Sequence, residues 1–394
     1  MPLTRLRIAG GMERVLRSVP PALASCLTCL LMAAPMAAIA QLPAFVELRV
    51  PKPPTVATAE GGAFLAYELH VTNFMPQSVT LKKIDVVTAG ADRRVLLSLG
   101  DSALMRAVTR PGMAPAGAVE RLKFEGGTRG VVFIWVPVDA RSAPTRLQHR
   151  VTLEQGAGDS VRTQELESVA VAVTAQSVAI GPPLRGGVWF AANGPANESG
   201  HRRALIPIAG VPSIAQRFAI DYVRMNEADS TFSGDRLKNE SYLAEGNDAL
   251  AVANGAVVAV KDSIPENVPG INSRAVPITL ETVGGNHVII DIGGGYYAFY
   301  AHLKPGSLRV KKGDTVKRGQ VVGLVGNTGN STEPHLHFHI SDGNSPLGSE
   351  GVPYRYDSFE IVGNCRGITG GCKRSAPVTR KGEVPLNGAL IRFP

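Results

Sequence analysis

Glycine and proline interrupt this chain so often that short strands joined by turns are favoured over long helices. The 394 residues include 43 glycines and 28 prolines. Residues 42–180 contain β-branched runs such as FLAYELHVTN and RGVVFIWVPV, and turn sequences such as EGG and GGTRG separate them. Several short strands with regular turns are typical of a β-sandwich. The sequence therefore predicts an all-β protein in which residues 42–180 form an immunoglobulin-like sandwich.

The chain is too long for a single hydrophobic core, which rarely exceeds about 250 residues. Residues 181–200 are rich in glycine, proline and asparagine, which predicts a linker or the opening strand of a second domain. Residues 201–361 are strand-rich again and predict that second domain. Residues 362–394 are predicted to form a C-terminal extension, in which Cys365 and Cys372 form a disulfide across the short loop NCRGITGGC.

The first forty residues have the pattern of a secretory signal. Four arginines within residues 5–17 precede the apolar run ALASCLTCLLMAAPMAAIA, which ends in small residues at Ala40. This order predicts a signal peptide over residues 1–40 and a periplasmic, extracellular or cell-wall location without a membrane span after cleavage. Three alternatives remain open: translation from Met12, a retained anchor, and lipidation at Cys26.

The charge of the chain is moderately basic, with a formal net charge of +8 and a pI near 9.4. Most such charge is a solvated surface, although it also suits an anionic partner such as a cell-wall polymer. The sequence contains no basic run interleaved with aromatic residues, so nucleic acid is not predicted as a partner.

Histidines form the most informative cluster of titratable residues. His335, His337 and His339 alternate in PHLHFHI, and alternate residues of a strand share one face. His302 ends an aromatic strand in AFYAHL, and Asp221 lies among apolar residues in RFAIDYV. A carboxylate in such a position is rarely left unpaired, because burying an isolated charge is costly. The pattern predicts either a metal site or, for Asp221, a buried salt bridge.

The motifs YAHL and VKKGDTVKRGQVVGLVGNTGNSTEPHLHF resemble the lysostaphin/LytM-type family of zinc peptidoglycan endopeptidases, over roughly residues 200–340. The resemblance implies a compact antiparallel β domain with an open groove, one zinc ion and a peptidoglycan substrate. It assigns Asp221 and His337 as zinc ligands. It also assigns His302 and His335 as catalytic histidines, which orient the attacking water, accept its proton or stabilise the charge on the carbonyl.

The first zinc ligand is where this sequence departs from the family. Arg217 stands four residues before Asp221, where the family has histidine, and arginine cannot bind zinc. Either the domain is metal-free, or His201 substitutes. His201 and Asp221 are each ten residues from Val211, so an antiparallel hairpin centred there would place them opposite each other. This symmetry predicts His201 as the third ligand, although a register change of one residue would turn its side chain to the other face.

Other polar residues receive weaker predictions. His339 stands where the family commonly has glutamate, and it is predicted either to support the site or to face solvent. Asn327 and Thr328, in the glycine-rich turn, are predicted to contact substrate. His70 and His149 are predicted to be surface or strand residues and not ligands, and a structural role is predicted for His287.

These predictions combine into one leading function and one alternative. The leading prediction is an exported zinc metalloendopeptidase that hydrolyses peptide bonds in peptidoglycan stems or cross-links. The alternative is a metal-free binding or regulatory protein that activates another cell-wall hydrolase. Retention of His302 and His335 favours the enzyme, because a regulator does not need them. A biotinyl or lipoyl carrier domain is disfavoured, since no lysine occupies a convincing hairpin tip.

Overall fold

The computed structural model describes residues 45–112, 117–156, 158–175, 177–368 and 370–394. The predicted signal peptide lies outside the described residues. Within them the chain is nearly all β, and almost every pair of strands is antiparallel. The all-β prediction is confirmed. No helix in these ranges combines the length and apolar character that crossing a membrane requires.

The first domain consists of eleven short and medium strands with two short helices. Its helices are α1 (Asp101–Ala107) and α2 (Ala118–Leu122). Its strands are β1 (Val46–Arg49), β2 (Ala57–Ala59), β3 (Gly62–Asn73), β4 (Val79–Thr88), β5 (Val95–Gly100), β6 (Val108–Thr109), β7 (Lys123–Phe124), β8 (Arg129–Val138), β9 (Arg146–Gln155), β10 (Arg162–Glu167) and β11 (Val171–Ala172).

The remaining strands follow in the second domain, which also contains the one-turn helix α3 (Gly200–Arg203). They are β12 (Val178–Ile180), β13 (Val188–Ala192), β14 (Ile206–Ile208), β15 (Val211–Ser213), β16 (Ile220–Met225), β17 (Asp248–Leu250), β18 (Gly255–Lys261), β19 (Asn286–Gly293), β20 (Tyr296–Leu303), β21 (Thr315–Val316), β22 (Val321–Leu324), β23 (Leu336–Ser341), β24 (Tyr354–Tyr356), β25 (Phe359–Cys365), β26 (Cys372–Arg380) and β27 (Ala389–Arg392). Single 3₁₀ turns lie at Gly158–Ser160 and Asn239–Ser241.

Two antiparallel sheets form the first domain. One has the order β1-β3-β8-β6, with β2 on β3, and the other has the order β10-β9-β4-β5, with β7 on β4 and β11 on β9. Their inward side chains, among them Leu65, Ile84 and Val151, form one buried apolar cluster. The predicted sandwich is therefore present, while its immunoglobulin-like character stays a prediction.

Strand β3 is buried on both faces, because it lies between the two domains. Its first residue is exposed and the other eleven are buried. Since successive side chains of a strand point to opposite faces, Leu65 and Tyr67 pack in the sandwich core. Phe64 and Ala66 pack in the larger core of the second domain. This alternation places the next even-numbered residue, Glu68, toward the second domain.

The second domain is built on a ten-stranded sheet of order β21-β18-β19-β20-β23-β16-β13-β27-β25-β26. Strand β13 lies inside the predicted linker 181–200, and it pairs with β16 and β27. Its Trp189 has no exposed surface. The linker prediction is wrong for this segment, and the alternative, an opening strand, describes it correctly.

The predicted C-terminal extension is also part of this sheet. Strands β26 and β27 lie within residues 362–394, and both pair with β25. The extension is therefore not a separate tail, because β27 fills the position between β13 and β25. Cys365 and Cys372 form the predicted disulfide at the end of the β25–β26 hairpin, where the two residues are paired across the strands.

A buried ion cluster joins the two domains. Glu68 of β3 is 3% exposed and binds Arg202 and Arg217 of the second domain. The Nη2 atom of Arg217 donates to Glu68 Oε2 at 2.7 Å and to Glu350 Oε2 at 2.6 Å. Burial by itself would raise the pKa of Glu68, but the charges and hydrogen bonds of Arg217 and Arg202 lower this pKa to about 2.

Acid is expected to remove the contribution of Glu68 to stability. The folded pKa of about 2 lies below the ordinary value of 4.5. Folding therefore favours the ionised carboxylate, whose contribution is complete above pH 4.5 and is lost as the pH falls through 2. A depression of this size corresponds to about 3 kcal/mol. Urea unfolding of the wild type and Glu68→Gln should show the difference in unfolding free energy shrinking by about that amount below pH 4.5. A constant difference would contradict this expectation.

Candidate metal centre

Neighbouring strands bring three of the predicted site residues together. Asp221 of β16 pairs directly with His337 of β23, and His337 also pairs with Ala301 of β20, which precedes His302. Paired residues of antiparallel strands point to the same face, so their side chains meet. His335 lies just before β23, and its ring centre is 4.8 Å from that of His302.

His201 reaches the same point from helix α3, and the predicted hairpin is not how it does so. The hairpin exists as β14 and β15, but Pro207 pairs with Pro212 and Ile208 with Val211. Its turn is therefore at residues 209–210, and His201 lies beyond the paired residues, in α3. The prediction that His201 lies near Asp221 agrees with the structure, but the register argument behind it is wrong.

The side chains of His201, Asp221 and His337 form a compact group. His201 Nε2 is 3.4 Å from Asp221 Oδ2, and His337 Nδ1 is 2.8 Å from Asp221 Oδ1. One nitrogen or oxygen of each residue lies within 4.8 Å of the others. Asn193 fixes the carboxylate, because its Nδ2 donates to Asp221 Oδ2 at 2.9 Å. Sequence reasoning missed Asn193, which carries no motif signal.

This donor set fits a catalytic zinc ion. Two imidazole nitrogens and one carboxylate oxygen are ligands that zinc prefers, and catalytic sites use three protein ligands. At metal–ligand bonds of about 2.0–2.2 Å, tetrahedral ligand atoms lie about 3.3 Å apart, and one donor atom of each of the three residues lies within 4.8 Å of the others. His201 faces the Asp221 carboxylate through Nε2, so this nitrogen would be its ligand atom.

A β-bulge places His302 beside this group. Between Asn286 and Val288 of β19, the register on β20 shifts by one residue, from Leu303 to Tyr300. His302 therefore has φ of 63°, a left-handed conformation that is uncommon for histidine. The backbone is held there by hydrogen bonds from His302 N to Gly284 O and from Gly326 N to His302 O. Bulges and strained residues of this kind occur often at functional sites.

Backbone carbonyls set the orientation of both predicted catalytic rings. His302 Nδ1 donates to Thr328 O at 2.7 Å, and His335 Nδ1 donates to Glu333 O at 2.8 Å. A neutral imidazole that donates from Nδ1 keeps its lone pair on Nε2. His335 Nε2 is 3.5 Å from Asp221 Oδ1. His302 therefore presents an acceptor nitrogen to the site, whereas His335 Nε2 lies beside a carboxylate that favours a proton on it.

The environment moves the pKa values of these histidines in opposite directions. Burial and the neighbouring rings hold the pKa of His302 well below its ordinary value, which keeps the ring neutral. Burial would also lower the pKa of His335, but the Asp221 carboxylate raises it above the ordinary value. Burial would raise the pKa of Asp221, yet His201 and His335 hold it well below the usual range.

His339 supports the site from behind. It is 1% exposed, and its Nδ1 is 3.0 Å from His337 Nε2. If His337 binds a metal through Nδ1, its Nε2–H donates to His339. Of the two alternatives for His339, the supporting role agrees with the structure and the solvent-exposed role is wrong. The alternation of PHLHFHI was the signal for this, because it places His337 and His339 on one face.

The prediction that Asn327 and Thr328 contact substrate is not supported. Both side chains are fully buried. Asn327 Nδ2 donates to Asn239 Oδ1 at 3.0 Å. Thr328 Oγ1 donates to Leu303 O at 3.0 Å and accepts from Asn286 N at 2.9 Å. Their role is internal, since the Thr328 carbonyl orients His302.

An open groove leads to the histidines. Its lining includes the polar residues Gln216, Arg274 and Asn330 and the apolar residues Phe299 and Leu347. All described residues that line it belong to the second domain.

Comparison with known proteins identifies the family of this domain. The model of peptidase family M23 matches residues 241–348. Those residues are a peptidase family M23 segment within the second domain. The matched segment contains His302, His335 and His337, whereas His201 and Asp221 precede it. The M23 match is thus shorter on its N-terminal side than the resemblance that the sequence motifs suggest.

Several curated relatives are similar to parts of this chain. The peptidoglycan DD-endopeptidase ShyA of Vibrio cholerae is 50% identical over 56 residues, which are 14% of this chain and 13% of the relative. The DD-endopeptidase ShyB of the same organism is 35% identical over 94 residues, which are 24% of this chain and 21% of the relative. The chain therefore matches less than a quarter of either relative's length.

Among solved structures, the catalytic domain of lysostaphin from Staphylococcus simulans is 23% identical. The match covers 42% of this chain and 86% of that domain, with a TM-score of 0.23.

Proposed function

We propose that the protein is a zinc-dependent endopeptidase that hydrolyses peptide bonds in peptidoglycan stems or cross-links. The observation that carries this proposal is the convergence of His201, Asp221 and His337 at the groove, with His302 and His335 facing them. The M23 match and the names of the relatives support the substrate class.

The roles of the residues follow from their geometry. His201, Asp221 and His337 would hold one zinc ion, which when bound lowers the pKa of a water molecule and polarises the scissile carbonyl. His302 is neutral and presents Nε2, so it can accept a proton from the attacking water. His335, with its raised pKa, is suited to hold a proton and stabilise negative charge on the carbonyl oxygen.

We further propose that the protein acts outside the cytoplasm. The signal-like pattern of residues 1–40 supports export. The Cys365–Cys372 disulfide supports an oxidising compartment, because disulfides are rare in reducing ones.

Zinc content and peptidoglycan digestion test the proposed function together. Purified protein supplied with zinc should bind one equivalent and release peptide-bond cleavage products from isolated peptidoglycan, identified by mass spectrometry. His201→Ala should bind zinc much more weakly than wild type and should lose activity. A wild-type protein that binds no zinc would instead be the metal-free regulatory module. A His201→Ala variant that binds as well as wild type would remove His201 alone from the ligand set.

His339→Leu is expected to weaken zinc binding by about 10-fold or more, because partners that orient a ligating histidine typically contribute that much. The substitution removes the atom that His337 Nε2 contacts at 3.0 Å, and it places an apolar side chain at a buried position. Competition with a chromophoric chelator measures the affinity. His149→Leu, also buried but in the first domain, where its Nε2 contacts the hydroxyl of Tyr67, is the matched control and should bind zinc normally. Equal affinities of the two variants would show that His339 does not orient His337.

A further inference from the structure

The ligand-bearing helix α3 is anchored to the first domain on the C-terminal side of His201. Arg202 follows His201 directly and has no exposed surface. Its Nη1 donates to Glu68, and its Nη2 donates to Tyr67 O at 2.9 Å and to Ile134 O at 3.1 Å. All three acceptors belong to strands β3 and β8 of the sandwich.

Arg203 makes a second set of contacts with the same domain. Its Nη1 donates to Thr109 Oγ1 at 3.3 Å and its Nη2 donates to Arg106 O at 3.1 Å. Its guanidinium lies 4.2 Å from the centre of the Phe133 ring, a cation–π contact. Leu205 packs in a small apolar cluster with Phe133. The segment after His201 is therefore held by the sandwich over several consecutive residues.

Helix α3 has little capacity to hold His201 by itself. It contains four residues, Gly200–Arg203, and its N-cap residue, Ser199, makes no side-chain capping hydrogen bond. A single helical turn is unstable in isolation, because its few hydrogen bonds do not offset the cost of ordering the backbone. The position of the His201 ring must therefore come from tertiary contacts.

We propose that the first domain is a structural part of the metal centre, in which Glu68 acts through Arg202 as a positioning residue that holds His201 toward Asp221. This inference rests on the proposed function, since it concerns the zinc ligand that α3 supplies.

The same carboxylate also accounts for the arginine at position 217. Glu68 binds Arg202 and Arg217 together, and each arginine is at most 3% exposed. The residue four positions before Asp221 is thus committed to the domain junction and points to Glu68. The ligand comes instead from α3, which the same ion cluster fixes. Because the described lining of the groove belongs to the second domain, the sandwich holds the site and does not cover it.

Glu68→Gln tests the inference through zinc affinity. The substitution keeps the shape of the side chain and removes the charge that binds Arg202. We expect zinc affinity, measured by chelator competition, to fall by about 10-fold or more. The matched control is Asp85→Asn, a buried acid of the same domain whose ion pair, with Lys83 at 2.9 Å, is remote from the site. It should bind zinc as wild type does. Equal affinities for Glu68→Gln and wild type would overturn the inference.

A double-substitution cycle separates positioning from general destabilisation. If Glu68 acts through His201, Glu68→Gln should weaken residual zinc binding in a His201→Ala background by less than about 2-fold, because the ligand that it positions is already absent. The same loss in both backgrounds would mean that Glu68 supports the fold only, and the inference would fail.

Arg203→Met provides a second route if Glu68→Gln does not fold. It leaves no buried charge unpaired, yet removes the contacts with Thr109 and Arg106. Zinc affinity should fall several-fold, again only when His201 is present, and unchanged affinity would contradict the inference. Failure of the proposed function is distinguishable, because the wild-type protein would then bind no zinc at all.

Discussion

Replacing Asp221 by asparagine is expected to abolish stoichiometric zinc binding and hydrolysis together. Asp221 is the carboxylate of the group, and it contacts His201, His335 and His337. Asparagine preserves its shape but removes the negative charge that offsets the ion. Removing one partner of a buried charge pair typically costs about 3–5 kcal/mol, which corresponds to about 10²- to 10⁴-fold in affinity.

The experiment requires metal affinity and activity from the same preparation. Chelator competition gives the zinc dissociation constant, and product release from isolated peptidoglycan gives the rate. Asp248→Asn is the control, since this acid pairs with Arg185 at the surface of the same domain. Hydrolysis that persists in Asp221→Asn without bound zinc would refute the metal-dependent mechanism.

Sequence patterns predicted the parts of the site that depend on neighbouring strands. The alternation in PHLHFHI places its histidines on one face, and β23 presents that face to the site. The apolar surroundings of Asp221 indicated burial, and the residue is 8% exposed. What the alternation could not give is the bulge at His302, because a bulge depends on the register of two strands that are joined only in the folded sheet.

The contacts that hold His201 in place could not be predicted from local sequence patterns, for a similar reason. The contacts that fix α3 join Arg202 to Glu68 and Ile134, which lie 134 and 68 residues away in the sequence. The symmetry about Val211 predicted that His201 lies near Asp221, which the structure shows, but by a wrong argument, since the hairpin turns at residues 209–210. A ligand outside the strands can be placed only once the domain junction is known.

Composition misled the prediction of domain boundaries. Glycine, proline and asparagine surround the run VWFAA, so residues 181–200 resemble a linker. The run nevertheless forms β13, because β16 and β27 offer backbone partners on both sides. Strand β27 lies far from β13 in the sequence. Their pairing could therefore not be predicted from local sequence patterns.

His302→Ala is expected to lower kcat by about 10²- to 10⁴-fold while leaving zinc bound, because general acid–base groups contribute about that much. His302 lies outside the group of three that could hold a metal ion, and its Nδ1 is committed to Thr328 O. Its low pKa keeps Nε2 able to accept a proton at neutral pH. KM should change little, since the lost contact is made in the transition state.

His287→Ala is the matched control, because His287 lies on adjacent β19 and its Nδ1 donates to Gly285 O at 2.9 Å. Loss of zinc from His302→Ala would make His302 a ligand, and wild-type kcat would exclude it from proton transfer.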